Sequence, residues 1–308
     1  MAKLDAIQLQ LLEEIAGLHE VPEGAYNIRA NGTAAGRQST ANIEIIPKEN
    51  GSGIDIHIKP GTKNESVHIP VVLSESGLKE TVYNDFYVGD NADVVIVAGC
   101  GIDNCGTQDS EHDGIHRFFV GKNAKIKYVE KHYGSGNGDG KRLLNPVTEV
   151  HLDEGSTMEM EMVQIKGVDS TERTTLAELK ADAKLIVRER LMTHGQQTAL
   201  SIYKVTLDGD GSSADVVSRS VARDQSYQKL DMCILGNAAC SGHTECDSII
   251  MDEGRILAVP SLEANSVDAQ LVHEAAIGKI AGEQLIKLMT LGLTEAEAEE
   301  QIINGFLK

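Results

Sequence analysis

Two hydrophobic periods divide this chain. Leu4, Ile7, Leu11, Ile15 and Leu18 recur at spacings of three and four, with Gly17 near the end, and predict a helix over residues 1–20. From Asn42 to about Glu263 the period becomes two, as in Gly53-Ile54-Asp55-Ile56-His57-Ile58 and Thr157-Met158-Glu159-Met160-Glu161-Met162. The middle of the chain is therefore mostly strand. After Pro260 the strand pattern is expected to stop. Leu285, Leu288 and Met289 then mark one helix ending at Gly292, and Thr294 with Glu297 forms a capping box for a second, whose stripe is Ala298, Ile302, Ile303 and Phe306.

The strands repeat. A small turn cluster recurs as Gly89-Asp90-Asn91-Ala92, Gly121-Lys122-Asn123-Ala124, Asp153-Glu154-Gly155-Ser156, Lys180-Ala181-Asp182-Ala183, Asp208-Gly209-Asp210-Gly211 and Gly236-Asn237-Ala238-Ala239, with last residues 32, 32, 27, 28 and 28 positions apart. Reuse of one turn-plus-strands unit predicts a β-solenoid, in which stacked coils share a narrow core. Four Phe and no Trp fit such a core. A β-sandwich of paired hairpins is the rival. Two stretches interrupt the pattern: Cys100 through His116 reads as an irregular loop, and Gly134 to Gly140 as a flexible turn.

Composition removes several classes of function. A net charge of −19, from 28 basic and 47 acidic residues, repels nucleic acid and anionic membranes alike. No run is long and apolar enough to span a bilayer, and Met-Ala-Lys-Leu-Asp is not a signal peptide, so a cytoplasmic location is expected. Five cysteines at irregular spacing argue against a disulfide framework and leave thiols for metal or sulfur chemistry.

Three constellations carry candidate chemistry. Cys246, His273 and Glu274 offer a soft thiolate, an imidazole and a carboxylate suited to iron or zinc. Cys100, Cys105, His112 and His116 loosely resemble a closed zinc site, and a zinc site, a metal-entry loop and a simple polar excursion all stay open. Cys233, Cys240, His243 and Cys246 lie within fourteen positions and could relay persulfide sulfur; Cys240 and His243 are weak candidates, and Cys233 reads as core.

The tail also carries a family resemblance. Cys246-Asp247-Ser248, Pro260, Val272-His273-Glu274-Ala275, Lys279-Ile280, Glu283-Gln284-Leu285, Leu288-Met289, Gly292-Leu293-Thr294-Glu295 and Ile303-Asn304-Gly305-Phe306, in that order, resemble the C-terminus of the SufB/SufD family of iron–sulfur cluster assembly scaffolds. His-Glu-Ala and Cys246 place the chain nearer SufB, as a compact member. The resemblance implies a right-handed parallel β-helix at 21–265, a C-terminal helical segment at 266–308 that docks a SufC-type ABC ATPase, and pairing with a second copy or a related scaffold.

It further implies that Cys246, His273 and Glu274 hold a transient iron–sulfur cluster at the dimer interface, supplied by a sulfur donor and passed to acceptor proteins. Leu285, Leu288, Met289, Ile302, Ile303 and Phe306 would dock the ATPase. No Gly-x-x-x-x-Gly-Lys-[Ser/Thr] loop occurs, so the nucleotide is expected in the partner and the chain is not expected to be an enzyme. The rival function is a cytosolic β-helix polysaccharide lyase or hydrolase acting through paired carboxylates, or a zinc-binding solenoid that serves interactions.

Overall fold

A computed structural model describes residues 4–20, 22–49 and 51–308. From Lys63–Leu73 onward, strands alternate between two ten-stranded sheets, so that each pairs in parallel with the strand one coil further along on its own side. Lys125 sits opposite Thr157, and Ser213 opposite Ser241, offsets of 32 and 28 residues that are the coil lengths. The result is a parallel β-solenoid of about eight coils. Parallel register rejects the sandwich. Antiparallel pairs occur at one end only, where Ala25–Ala30 meets Thr33–Gln38 and Ile43–Pro47 meets Gly53–Ile58.

The repeated turn has a backbone cause. Asn91, Asn123, Gly155, Asp182 and Gly211 adopt φ between 55° and 75°, the left-handed region that Gly, Asn and Asp enter most readily. The turns then stack. Asn91 N donates to Lys122 O at 2.9 Å, Asn123 N to Glu154 O at 3.0 Å, and Gly155, Asp182 and Gly211 continue the column. The next residue is buried and small in every case: Ala92, Ala124, Ser156, Ala183 and Ser212. In the fifth turn the corner thus falls on Ser212, one residue later than the motif spelled it. Inside, alternate residues such as Met158, Met160 and Met162 fill one continuous apolar core.

Helix α1 (Ala6–Ala16), capped by Asp5 and Gln8 and closed by Gly17, lies on the outer face of one sheet. Leu11, Leu12 and Ile15 pack there with Tyr26, Ile28 and Val72. Gly99 and Gly101 permit the approach, since a Cβ at either would come within about 3.1 Å of Ile15 or Leu11. Helix α2 (Gly282–Thr290) buries no residue, whereas α3 (Glu295–Phe306), capped by Thr294 as expected, returns to the solenoid wall. Ile303 and Leu307 pack there against Val221, with Phe306, Met192, Ile249 and Met251 around them. Among the described residues no helix is long and apolar enough to cross a membrane.

Three expectations need correcting. The sheet does not end near Pro260: strands Arg255–Ala264 and Gln270–Gly278 form the last coil, so the expected boundary at 265 falls between them. The last coil lacks a neighbour on one side, so its composition need not alternate. The stretch from Cys100 to His116 is not one irregular loop: it is the end of strand Asp93–Asp103 and the start of strand Ser110–Val120, joined by a short turn at 104–109. There the inward positions are Ser110, His112, Gly114 and His116, which erases the apolar period. The glycine-rich turn is stacked in the same way, Gly138 N and Gly140 N donating to Asn104 O and Gly106 O.

Candidate metal and thiol centre on the last coils

Strand Ser241–Ile250 buries every second residue, and that parity decides the site. Gly242, Thr244, Cys246 and Ser248 point inward. Cys246 is fully buried, its Sγ 3.8 Å from Ser248 Oγ. Burial pushes the thiol above its ordinary range, and the serine hydroxyl offsets only part of that. At neutral pH this buried thiol is protonated, and a thiol serves as a metal ligand only once that proton is lost.

The next strand in the sheet, Gln270–Gly278, sets Ala275 opposite Cys246 and His273 opposite Thr244. His273 therefore shares the inward face, with Nδ1 2.7 Å from Thr244 Oγ1. Burial, followed by the neighbouring His243, lowers its pKa and favours neutral imidazole. Glu274 has the opposite parity. It lies outward beside Glu245, its register partner, and these two carboxylates with His243 bring one ligand atom each to within 4.8 Å of one another. The predicted trio is thus split by a single sheet: Cys246 and His273 inside, Glu274 outside. The weak candidate His243 joins Glu274.

Cys240 is buried directly before Ser241, where Ser212 precedes Ser213 one coil earlier, a corner that takes a small residue. Cys233 is not core. It occupies a half-buried outward position on the other sheet, so the four residues of the suggested relay do not line one path.

The zinc reading of the Cys100 region also fails. Cys105 is exposed on the turn and bonded to Asp103, whereas Cys100, His112 and His116 face the interior. They line a narrow buried pocket with Glu130 and His132. Within it each imidazole has a protein partner: His112 meets Glu80 at 3.2 Å, and His116 meets Tyr128 at 2.8 Å. Burial lowers His116 to about 4, and burial with the nearby Glu80 and Glu130 charges pushes the Cys100 thiol far up.

This pocket opens onto a polar seam that the sequence reading missed. Tyr128 Oη donates to Glu130 at 3.1 Å, and Glu130 pairs with Arg173, itself 3.7 Å from Glu189. Glu189 accepts from Ser201 and Ser218 at 2.7 and 2.6 Å, and Ser218 is the register partner of Cys246. Buried polar side chains therefore run from the Cys100 end to within one coil of Cys246. Burial opposes the charge on Glu130, but Arg173 and then His132 hold its carboxyl well below the usual range. Parity was the available signal, because Glu130 and Glu189 continue the inward rows Ile126-Tyr128 and Leu185-Val187.

Fold and donor groups together define a β-solenoid protein whose final coils concentrate thiol, imidazole and carboxylate side chains. Residues 83–306 match the family described as SUF system FeS cluster assembly, SufBD core domain, and the chain belongs to that family. It is 30% identical over 264 residues to an iron-sulfur cluster assembly SufBD family protein of Archaeoglobus fulgidus, covering 84% of this chain and 69% of that protein. A Methanothermobacter thermautotrophicus relative of the same description is 28% identical over 259 residues, 83% of this chain and 62% of the relative. A Methanocaldococcus jannaschii relative is 28% identical over 257 residues, 82% of this chain and 79% of its own length. The chain thus spans less than two thirds of the Methanothermobacter protein.

Proposed function

We propose that the chain is a scaffold on which a nascent iron–sulfur cluster forms where two solenoid ends meet, with Cys246 as the thiolate ligand, His273 on the same inner face and Glu274 on the outer face of the adjoining strand. The observation that carries this reading is the position of all three on the last two strands of one sheet, the second of which is an unpaired edge. One thiolate per chain is an incomplete shell, since clusters are held chiefly by several thiolates. Two copies related by a two-fold double the set. A mixed shell of this kind suits assembly followed by release.

Cargo iron and sulfide are the substrates of this reading. Anaerobic reconstitution of the wild type with both should give the charge-transfer absorption of a cluster, and Cys246→Ser should lower the cluster yield at least about tenfold, because the main soft ligand is gone. Equal yields from the two proteins would sink the assignment.

The ATPase-docking surface is proposed on α2 rather than α3. Ile303 and Phe306 are occupied with the chain's own wall, and Ile302 is half-buried, while Ile286, Met289 and Leu291 stand 63%, 41% and 77% exposed. Leu285 and Leu288 lie half-buried beside them. Ile286→Asp with Met289→Asp should abolish capture of a SufC-type ATPase without shifting the thermal midpoint. Capture at wild-type strength by that variant would remove α2 from the interface.

A further inference from the structure

We infer that His243, Glu245 and Glu274 form a separate divalent-iron site on the outer face of the last two coils, distinct from the Cys246 thiol on the inner face. Among the described residues they are the group of three such side chains whose ligand atoms converge, all within 4.8 Å. Imidazole and carboxylate are the donor types that ferrous iron takes at facial three-point sites with open positions, commonly as two histidines and one carboxylate and here in the reverse ratio. The backbone supplies the geometry without any special loop. His243 and Glu245 are two apart on one strand and so share its outer face, and Glu274 is the register partner of Glu245 on the next.

A second contact fits the same reading. Asp215, one coil back, lies 2.8 Å from His243 Nδ1. The carboxylate accepts the Nδ1 proton, which fixes the tautomer and leaves the Nε2 lone pair for a metal, the usual carboxylate–histidine arrangement behind metal sites. Arg188 pairs with Asp215 in turn, so this carboxylate is held as an orienting group rather than a ligand. A groove of about 400 Å³ reaches His243 and Glu245 from solvent, with Arg188, Arg190, Arg219 and Lys308 also on its walls. No thiolate is involved. Binding exchanges metal-bound water for two carboxylate oxygens and one imidazole nitrogen, releasing any proton those ligands carry, with no oxidation step.

The site's cargo role rests on the scaffold reading: iron held on the outer face of the last two strands of this sheet waits beside the place where the thiol must receive it. The metal site itself rests on geometry alone, and the two are tested apart. The full chain is titrated anaerobically with Co²⁺, a spectroscopic substitute for ferrous iron, with no sulfide present. The wild type and Cys246→Ser should each bind one Co²⁺ per chain with equal affinity and no thiolate-to-cobalt charge-transfer band. His243→Ala and Glu245→Gln should each weaken binding at least about tenfold, and Asp215→Asn roughly ten- to a hundredfold through loss of orientation. All three sit on an outer face, and an unchanged thermal midpoint establishes that they fold.

Unchanged affinity in both His243→Ala and Glu245→Gln would overturn the site. So would Co²⁺ binding that disappears in Cys246→Ser. Either result leaves the scaffold reading to its own test, because cluster yield on Cys246 is measured with iron and sulfide together.

Discussion

Arg173→Met should destabilise the solenoid by about 3–5 kcal/mol, read as a fall in the denaturant midpoint, because it strands two carboxylates in the interior. Arg173 is 3% exposed between Glu130 and Glu189, which are 3% and 5% exposed. Its guanidinium pairs with Glu130 and lies 3.2 Å from His132 Nδ1. Methionine fills similar space and contributes no charge, so the loss comes from the abandoned carboxylates and not from a cavity. A change below about 1 kcal/mol would show that water already solvates the seam.

The pH dependence separates the two states further. In the wild type Glu130 is held ionised with a lowered pKa, so its contribution is complete above the ordinary carboxylate range and is lost as pH falls through the folded value. Without Arg173, burial outweighs the contacts left from His132 and Tyr128 and raises the carboxyl. The sign reverses: the variant should be relatively most stable in acid and lose stability as pH rises. Replacing Glu130 and Glu189 by Leu in the same chain should restore much of the deficit, since a buried ion pair exchanged whole for apolar groups is often neutral or better.

The same seam shows where the sequence was readable and where it was not. Strand identity and coil spacing were visible because Met158, Met160 and Met162 alternate against glutamates, and because Asn and Gly mark left-handed corners. The alternation vanished wherever the interior turned polar. His112 and His116 face inward like any core residue, yet as polar groups in a row they read as loop. The first parallel strand was hidden for the opposite reason. In Ala25–Ala30 five of six residues are buried, since α1 covers the outer face, so no period of two remains.

The site was legible as a set of residues but not as a geometry. Cys246, His273 and Glu274 were visible in the tail, but register alone assigns them to faces. His243 was a weak candidate for a sulfur relay and becomes a metal-type donor because it is two residues from Glu245, opposite the strand that carries Glu274. A short sequence distance to Cys246 was misleading there. On a strand, three residues apart means opposite faces.

On the proposed pairing of two solenoid ends, Leu262→Arg combined with Ile277→Arg should leave the chain monomeric and abolish cluster formation together. Leu262 continues the inward row above Ile234, and Ile277 the row above Ser248, yet these side chains are 38% and 41% exposed because no further coil covers them. The edges of both sheets are unpaired at the same end, with Arg255–Ala264 and Gln270–Gly278 as the terminal strands. An open apolar end with two free edges is the surface a solenoid must cap or pair. Pairing through a two-fold brings each substituted arginine against an apolar surface twice, and an unpaired buried charge costs several kcal/mol per ion. In the isolated chain both positions reach solvent, so the fold should survive with its thermal midpoint and spectrum unchanged. Light scattering coupled to gel filtration reads the mass, and reconstitution reads the cluster. A variant that stays dimeric locates the contact elsewhere; a monomer that still assembles a full cluster refutes the requirement for paired ends. Loss of both from a folded chain is the outcome expected if Cys246 works only when a second end closes over it.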